Sequence, residues 1–211
     1  GFGGCRGGGQ ASKIAIESLK SSLNNLEGRN GEVRERIINA FEVANKKVLA
    51  LGIGAATTLA VLEVRGTKVR PYHVGDSEIL VVSQRGQVKF QTVSHSPVGY
   101  AVESGVMDAA EAMHHEERHV VSNMIGSAEM HIEVGPVLEL AKRDTVIIAS
   151  DGLSDNLHTS EIANFARKGS LTEVVARLSE TALTRMQNPL QGDPSKPDDL
   201  TFVLYRPRKA S

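Results

Sequence analysis

Residues 57–92 read TTLAVLEVRGTKVRPYHVGDSEILVVSQRGQVKFQT. Four short runs rich in Val, Leu, Ile and Thr lie within this stretch, at 57–64, 68–74, 78–83 and 87–92. Between them stand Arg65-Gly66, Gly75-Asp76-Ser77 and Arg85-Gly86, which are turn signals. Connections of two or three residues can join only antiparallel neighbours, because a parallel pair needs a long crossover. The stretch therefore predicts an antiparallel meander and argues against a βαβ array.

Upstream, Ala11, Ala15, Leu19, Ser22 and Leu26 recur at helical spacing, and so do Val33, Ile37, Phe41, Ala44, Val48 and Leu51. They predict helices over 10–27 and 32–51, joined through Gly28-Arg29-Asn30-Gly31 as an antiparallel pair. Downstream, 96–126 is irregular and polar, with two short helices expected. Strands are predicted at 130–134 and 144–150. The latter contains Thr145-Val146-Ile147-Ile148-Ala149, whose continuous apolar character fits a strand covered on both faces. Helices follow at 159–168 and 170–187, the second with Leu171, Val175, Leu178 and Ala182 along one side, before a last strand at 200–205. Runs of strands and runs of helices without regular alternation define an α+β class. The length suits one domain over 1–211.

Composition narrows the function. Lys+Arg number 24 and Asp+Glu 25, so the chain lacks the basic excess of a nucleic-acid surface. The sole cysteine, Cys5, cannot form an intrachain disulfide, which fits a reducing, cytoplasmic setting. No membrane-length apolar run and no secretory signal pattern is present, so neither nucleic acid nor membrane is expected as a partner. Cys5 also lacks the Cys-x5-Arg cradle of a cysteine phosphatase.

Three aspartates stand at the ends of predicted strands. Asp151, in Ser150-Asp151-Gly152, closes the buried run. Asp198, in Asp198-Asp199, opens the last strand behind Pro197, and Asp76 occupies a tight turn. Carboxylates on rigid strand ends suit Mg²⁺ or Mn²⁺, which prefer oxygen ligands and keep several waters. Taken singly, each is also an ordinary turn or cap residue.

In order along the chain, these segments resemble the type-2C metal-dependent Ser/Thr protein phosphatases. Gly1-Phe2-Gly3-Gly4 is similar to the end of that family's Asp-Gly-x-Gly-Gly motif, and Gly54-Ala55-Ala56-Thr57-Thr58-Leu59 to its Gly-Thr-Thr strand start. Val74-Gly75-Asp76-Ser77 resembles its Gly-Asp-Ser hairpin, and Thr92-Val93-Ser94-His95-Ser96 its Thr-x-Asp-His-Ser. The stretch 123–126 parallels a helix end before Leu-Gly. Ser150-Asp151-Gly152-Leu153-Ser154-Asp155 resembles Ser-Asp-Gly-Leu-Thr-Asp, and Asp198-Asp199-Leu200-Thr201 stands where the family has Asp-Asn-Ile-Thr.

The resemblance implies an αββα sandwich of two antiparallel sheets flanked by helix pairs. It also implies two, and at most three, Mn²⁺ or Mg²⁺ ions at one edge. By position, Asp151 and Asp198 are the catalytic metal ligands, Gly1 adds a backbone carbonyl, and Asp76 with Asp151 holds a weaker third ion. Two such ions ~4 Å apart acidify a bridging water for in-line attack on phosphorus and orient the phosphate oxygens. The expected substrates are phosphoserine and phosphothreonine in proteins, with a cognate Ser/Thr kinase or its targets as partners.

The family's Asp would immediately precede Gly1, and an upstream strand would bring a further acid and a phosphate-binding arginine. On that reading the chain is N-terminally incomplete. Phe2 replaces a histidine acid and leans toward bacterial members, Ser94 replaces an Asp in a structural role, and Asp199 replaces Asn. Asp155 and Asp108 are expected to be surface or cap residues.

Two alternatives accompany this reading. One is a catalytically inactive, phosphatase-like binding or regulatory domain. The other is a zinc metallopeptidase through His115-Glu116-Glu117-Arg118-His119, a literal H-E-x-x-H. That motif has few apolar residues before it, and Ser122 and Ile125 stand where an extended zinc motif needs Gly and His, so a solvated helix is expected instead.

Overall fold

The computed structural model describes residues 6–24, 32–190 and 192–207. Two helices, α1 (Gly8–Leu23) and α2 (Glu32–Leu49), precede the meander β1 (Leu59–Arg65), β2 (Lys68–Val74), β3 (Glu78–Val82) and β4 (Val88–Gln91). Then come α3 (Pro97–Glu103), α4 (Ala109–Ala112), a single 3-10 turn at Glu116–His119, and the two-residue strands β5 (Glu133–Val134) and β6 (Leu138–Glu139). The chain continues through β7 (Thr145–Ala149), α5 (Asp151–Ser154), α6 (Thr159–Ala166), α7 (Leu171–Gln187) and β8 (Phe202–Tyr205). One sheet has the order β1-β2-β5, with β6 also on β2. The other runs β4-β3-β7-β8. Every pairing is antiparallel.

The period-2 alternation of β3 and β7 explains the layering. Leu80, Val82, Ile147 and Ala149 point into a cluster with Ile162, Ala166, Leu178 and others from α6 and α7. Their neighbours Ile79, Val81 and Val146 point the other way, into a cluster with Val69 of β2 that lies between the sheets. A third cluster joins Ala11 and Ala15 of α1 and Ile37, Phe41, Ala44 and Val48 of α2 to Leu59, Tyr72 and Val74. The order is helices, sheet, sheet, helices, as the family resemblance implies.

Two expectations need correction. The strand expected at 130–134 shrinks to Glu133–Val134. The buried Asn123 side chain takes both backbone groups of His131, its Nδ2 donating to the carbonyl at 2.7 Å and its Oδ1 accepting from the amide at 3.1 Å, so these are lost to the ladder. On α7 the buried stripe is Val174, Leu178 and Ala182, and Val175 is exposed. Leu178 and Ala182 lie on the face expected; only the valine of the first turn is misplaced, by one position or about 100° around the helix.

Candidate metal centre

The turn ahead of β3 is held from several sides. Gly75 has φ 105°, and a Cβ there would lie 2.3 Å from Thr58 Cγ2. Thr58 and Ser77 hydroxyls meet at 2.8 Å. His95, fully buried, takes the Gly75 N–H on Nδ1 at 3.0 Å and donates its own amide to the Gly75 carbonyl at 3.1 Å. Asp76 is thereby presented beside β7. Burial, and then the charge of Asp151, push its carboxyl up to about 6.

Asp151 is the first residue of α5, directly after β7. Asp198 precedes β8, its Oδ1 accepting from the Asp199 amide at 2.7 Å. Ser150 ties the two segments: its amide donates to the Thr201 carbonyl at 2.9 Å, and its hydroxyl donates to the Asp199 carbonyl at 3.1 Å. The carboxylates converge on one ammonium. Lys196 Nζ lies 2.5 Å from Asp155 Oδ2, 3.3 Å from Asp151 Oδ2 and 3.7 Å from Asp198 Oδ2. Asp76, Asp151 and Asp155 also line one cleft of about 580 Å³, which continues past Arg118 and Met113.

The structure thus brings Asp76, Asp151 and Asp198 to one end of the sandwich. Gly1 lies outside the described residues. Asp108 caps α4, accepting from the Glu111 amide at 2.7 Å. Asp155 takes the C-cap position of α5, within the surface-or-cap expectation, but it also joins the carboxylate cluster. Its side chain is 16% exposed, it is bound to Lys196, and burial raises its carboxyl above the ordinary range. Its spacing of four from Asp151 is the signal that could have found it, because such a pair shares a helical face. Lys196 had no comparable signal: it reads as a loop lysine.

All these donors are hard carboxylate oxygens, and four carboxylates, Asp76, Asp151, Asp155 and Asp198, are gathered near the one lysine. The set fits a divalent cation of the Mg²⁺ or Mn²⁺ kind.

Glu78, next on β3, is buried, with Oε1 taking a 2.6 Å bond from Gln91 Nε2 and Oε2 left without a partner. Burial pushes its carboxyl up to about 7 from an ordinary 4.5. A raised folded pKa binds extra protons, so its contribution is fully present below about pH 4.5 and is lost as pH rises through 7. Glu78→Gln is therefore expected to gain about 3 kcal/mol over the parent at pH 8 and almost nothing at pH 4. Urea unfolding at the two pH values checks this, and an advantage that does not grow with pH would refute it.

Another group resembles a metal site. Ligand atoms of His73, His95 and Glu133 lie within 4.8 Å of one another. Hydrogen bonding argues against a metal there. His95 Nδ1 accepts from the Gly75 amide and from Asn123 Nδ2 at 2.8 Å, so the proton sits on Nε2, donated to Glu133 Oε2 at 3.1 Å. The Asn123 orientation is fixed by His131, as described above. His73 Nε2 donates to the Val93 carbonyl at 2.9 Å, and its ring stacks on that of His95 at 4.3 Å.

The H-E-x-x-H segment is not the helix expected. Glu116–His119 forms one 3-10 turn, and His115 is its cap, with Nδ1 accepting from the Glu117 amide at 3.1 Å. At three residues per turn, positions four apart do not share a face, so no zinc pair is presented.

The sequence matches the protein phosphatase 2C family over residues 1–191, and the chain belongs to that family. It is similar to protein phosphatase PhpP of Streptococcus pneumoniae, 30% identical over 86% of this chain and 78% of the relative. Among solved structures it resembles the Streptococcus agalactiae serine/threonine phosphatase, with TM-score 0.76 and 28% identity over 87% of this chain and 78% of that one. The fold is also that of the catalytic domain of the phosphatase PstP, solved in complex with two manganese ions, with TM-score 0.73 and 22% identity over 96% and 82% of the two chains. Members of the family use divalent metals. Among the described residues, no helix is long and apolar enough to cross a membrane.

Proposed function

We propose that this protein hydrolyses phosphoserine and phosphothreonine in proteins with Mn²⁺ or Mg²⁺ held by Asp151 and Asp198, and that Asp76 with Asp151 holds a further ion. The observation that carries the reading is the meeting of Asp151, Asp155 and Asp198 around a single cation position, at the mouth of a cleft, in a chain of this family. Bound divalent ions would supply charge neutralisation of the phosphoryl group and acidification of water. The chain's own residues do the positioning. The core behind β7 fixes Asp151, the Ser150–Thr201 contacts fix the approach of Asp198, and the pinned Gly75 turn fixes Asp76. Arg118, on the cleft wall, donates to the Met113 and Ser195 carbonyls and is thereby held as a fixed positive charge beside the cleft. Phosphorylated proteins, including targets of a cognate kinase in the cytoplasm, are the substrates on this reading.

Full-length protein is expected to cleave phosphoserine and phosphothreonine peptides and p-nitrophenyl phosphate when Mn²⁺ or Mg²⁺ is supplied, and to stop when a chelator is added. Folded, manganese-loaded protein inert on a panel of phosphopeptides would sink the proposal and favour the inactive binding domain.

A further inference from the structure

Lys196 is not an ordinary surface lysine. Its side chain is 23% exposed and touches three carboxylates, at 2.5, 3.3 and 3.7 Å. Its backbone is clamped on both sides by the fully buried Asn156. Asn156 Oδ1 accepts the Lys196 amide at 2.8 Å, and Nδ2 donates to the Lys196 carbonyl and to the Gly152 carbonyl, each at 2.9 Å. Gly152 follows Asp151 directly, so one buried amide couples the lysine's backbone to the segment that presents Asp151. Pro197 then restricts the chain between the lysine and Asp198. An isolated surface ion pair is loosely held and contributes little. Here three anions share one cation whose backbone is fixed.

We propose that Lys196 is a resident cation of this cluster, competing with a divalent ion for the oxygens of Asp151, Asp155 and Asp198 and thereby weakening metal binding at the centre. The proposal rests on the reading of Asp151 and Asp198 as metal ligands. An ammonium and a divalent ion a few ångströms apart repel, and both need the same lone pairs. The ion can bind fully only when the lysine side chain leaves. Its four-carbon stem allows that without moving the clamped backbone.

The test is calorimetric titration of Mn²⁺ into full-length protein after chelator treatment. Lys196→Gln is expected to bind at least about tenfold tighter than the parent, and Lys196→Arg, which keeps the charge, to stay within about threefold of it. A second readout needs no variant. Labelling of Lys196 by an amine-reactive reagent, followed by mass spectrometry, should rise several-fold at saturating Mn²⁺, because the ammonium is displaced into solvent. Equal or weaker binding in Lys196→Gln, or labelling unchanged by Mn²⁺, overturns the proposal. If Mn²⁺ binds the parent, is weakened by Asp151→Asn and is indifferent to Lys196→Gln, only the role of the lysine fails. If Mn²⁺ binds none of the proteins, the metal-centre reading falls and takes this inference with it.

Discussion

Asp151→Asn is expected to lower kcat on a phosphothreonine peptide by about three orders of magnitude or more while leaving the fold intact. The substitution keeps the side chain's shape and replaces a charged oxygen by an amide. Asp151 starts α5, and the first turn of a helix tolerates an amide almost as well as a carboxylate. Stability should therefore change little. The centre, in contrast, loses one of the carboxylates that meet around the ammonium of Lys196. A second consequence follows from the coupling between the acids. The charge of Asp151 helps to raise Asp76, so in the variant the Asp76 carboxyl should move down from about 6 toward the ordinary range. Steady-state kinetics read the first effect, and carboxyl-resolved NMR titration reads the second. Activity untouched by the variant would place the chemistry elsewhere in the chain. On the proposed reading Asp76 holds only the further, weaker ion, so Asp76→Ala should cost less.

The fold was legible because its decisive features are local. The short turns at Arg65-Gly66 and Arg85-Gly86 force antiparallel neighbours, and Thr145–Ala149 is apolar because helices cover one face and a second sheet the other. What escaped reading depends on partners distant in sequence. The strand around Met130 was lost to a side chain, Asn123, whose role no periodicity reveals. The stripe of α7 differs from its neighbour by a single residue, Val174 or Val175, and both are valines.

The site was legible in part for the same reason. Asp76, Asp151 and Asp198 sit in short turn motifs whose order along the chain carries the information. Asp155 was taken for a surface or cap residue, and its place in the cluster was missed because its partner is Lys196, 41 positions further on. The lysine itself lies in a loop, and only the buried Asn156 shows that this loop is fixed. Charged residues of this kind are found by three-dimensional proximity, and sequence spacing carries little of it.

Gly152 joins the two levels, and its substitution is the second large effect expected. In sequence, a glycine directly after a strand-end aspartate is an ordinary signal for a sharp turn. The structure gives a different reason. Its φ is not among the positive ones, so the backbone conformation itself is open to other residues. The constraint is space: a Cβ at this position would lie 2.4 Å from the Asp199 carbonyl oxygen and 3.3 Å from Leu200 Cα. Both are backbone atoms, which cannot rotate away as a side chain could. Gly152→Ala must therefore push α5 and the Asp198–Asp199 segment apart. Overpacking of this kind costs about 1–3 kcal/mol, and the bonds from Ser150 to Asp199 and Thr201 are strained in addition. The same displacement separates Asp151 from Asp198, so the centre opens although no carboxylate has been removed. Gly152→Ala is expected to lose about 2–3 kcal/mol in urea unfolding and about a hundredfold in kcat/KM, with Mn²⁺ affinity falling in parallel. Unchanged stability would show that the two segments give way without strain. Unchanged Mn²⁺ affinity beside lowered stability would show that Asp151 and Asp198 do not act on a shared ion.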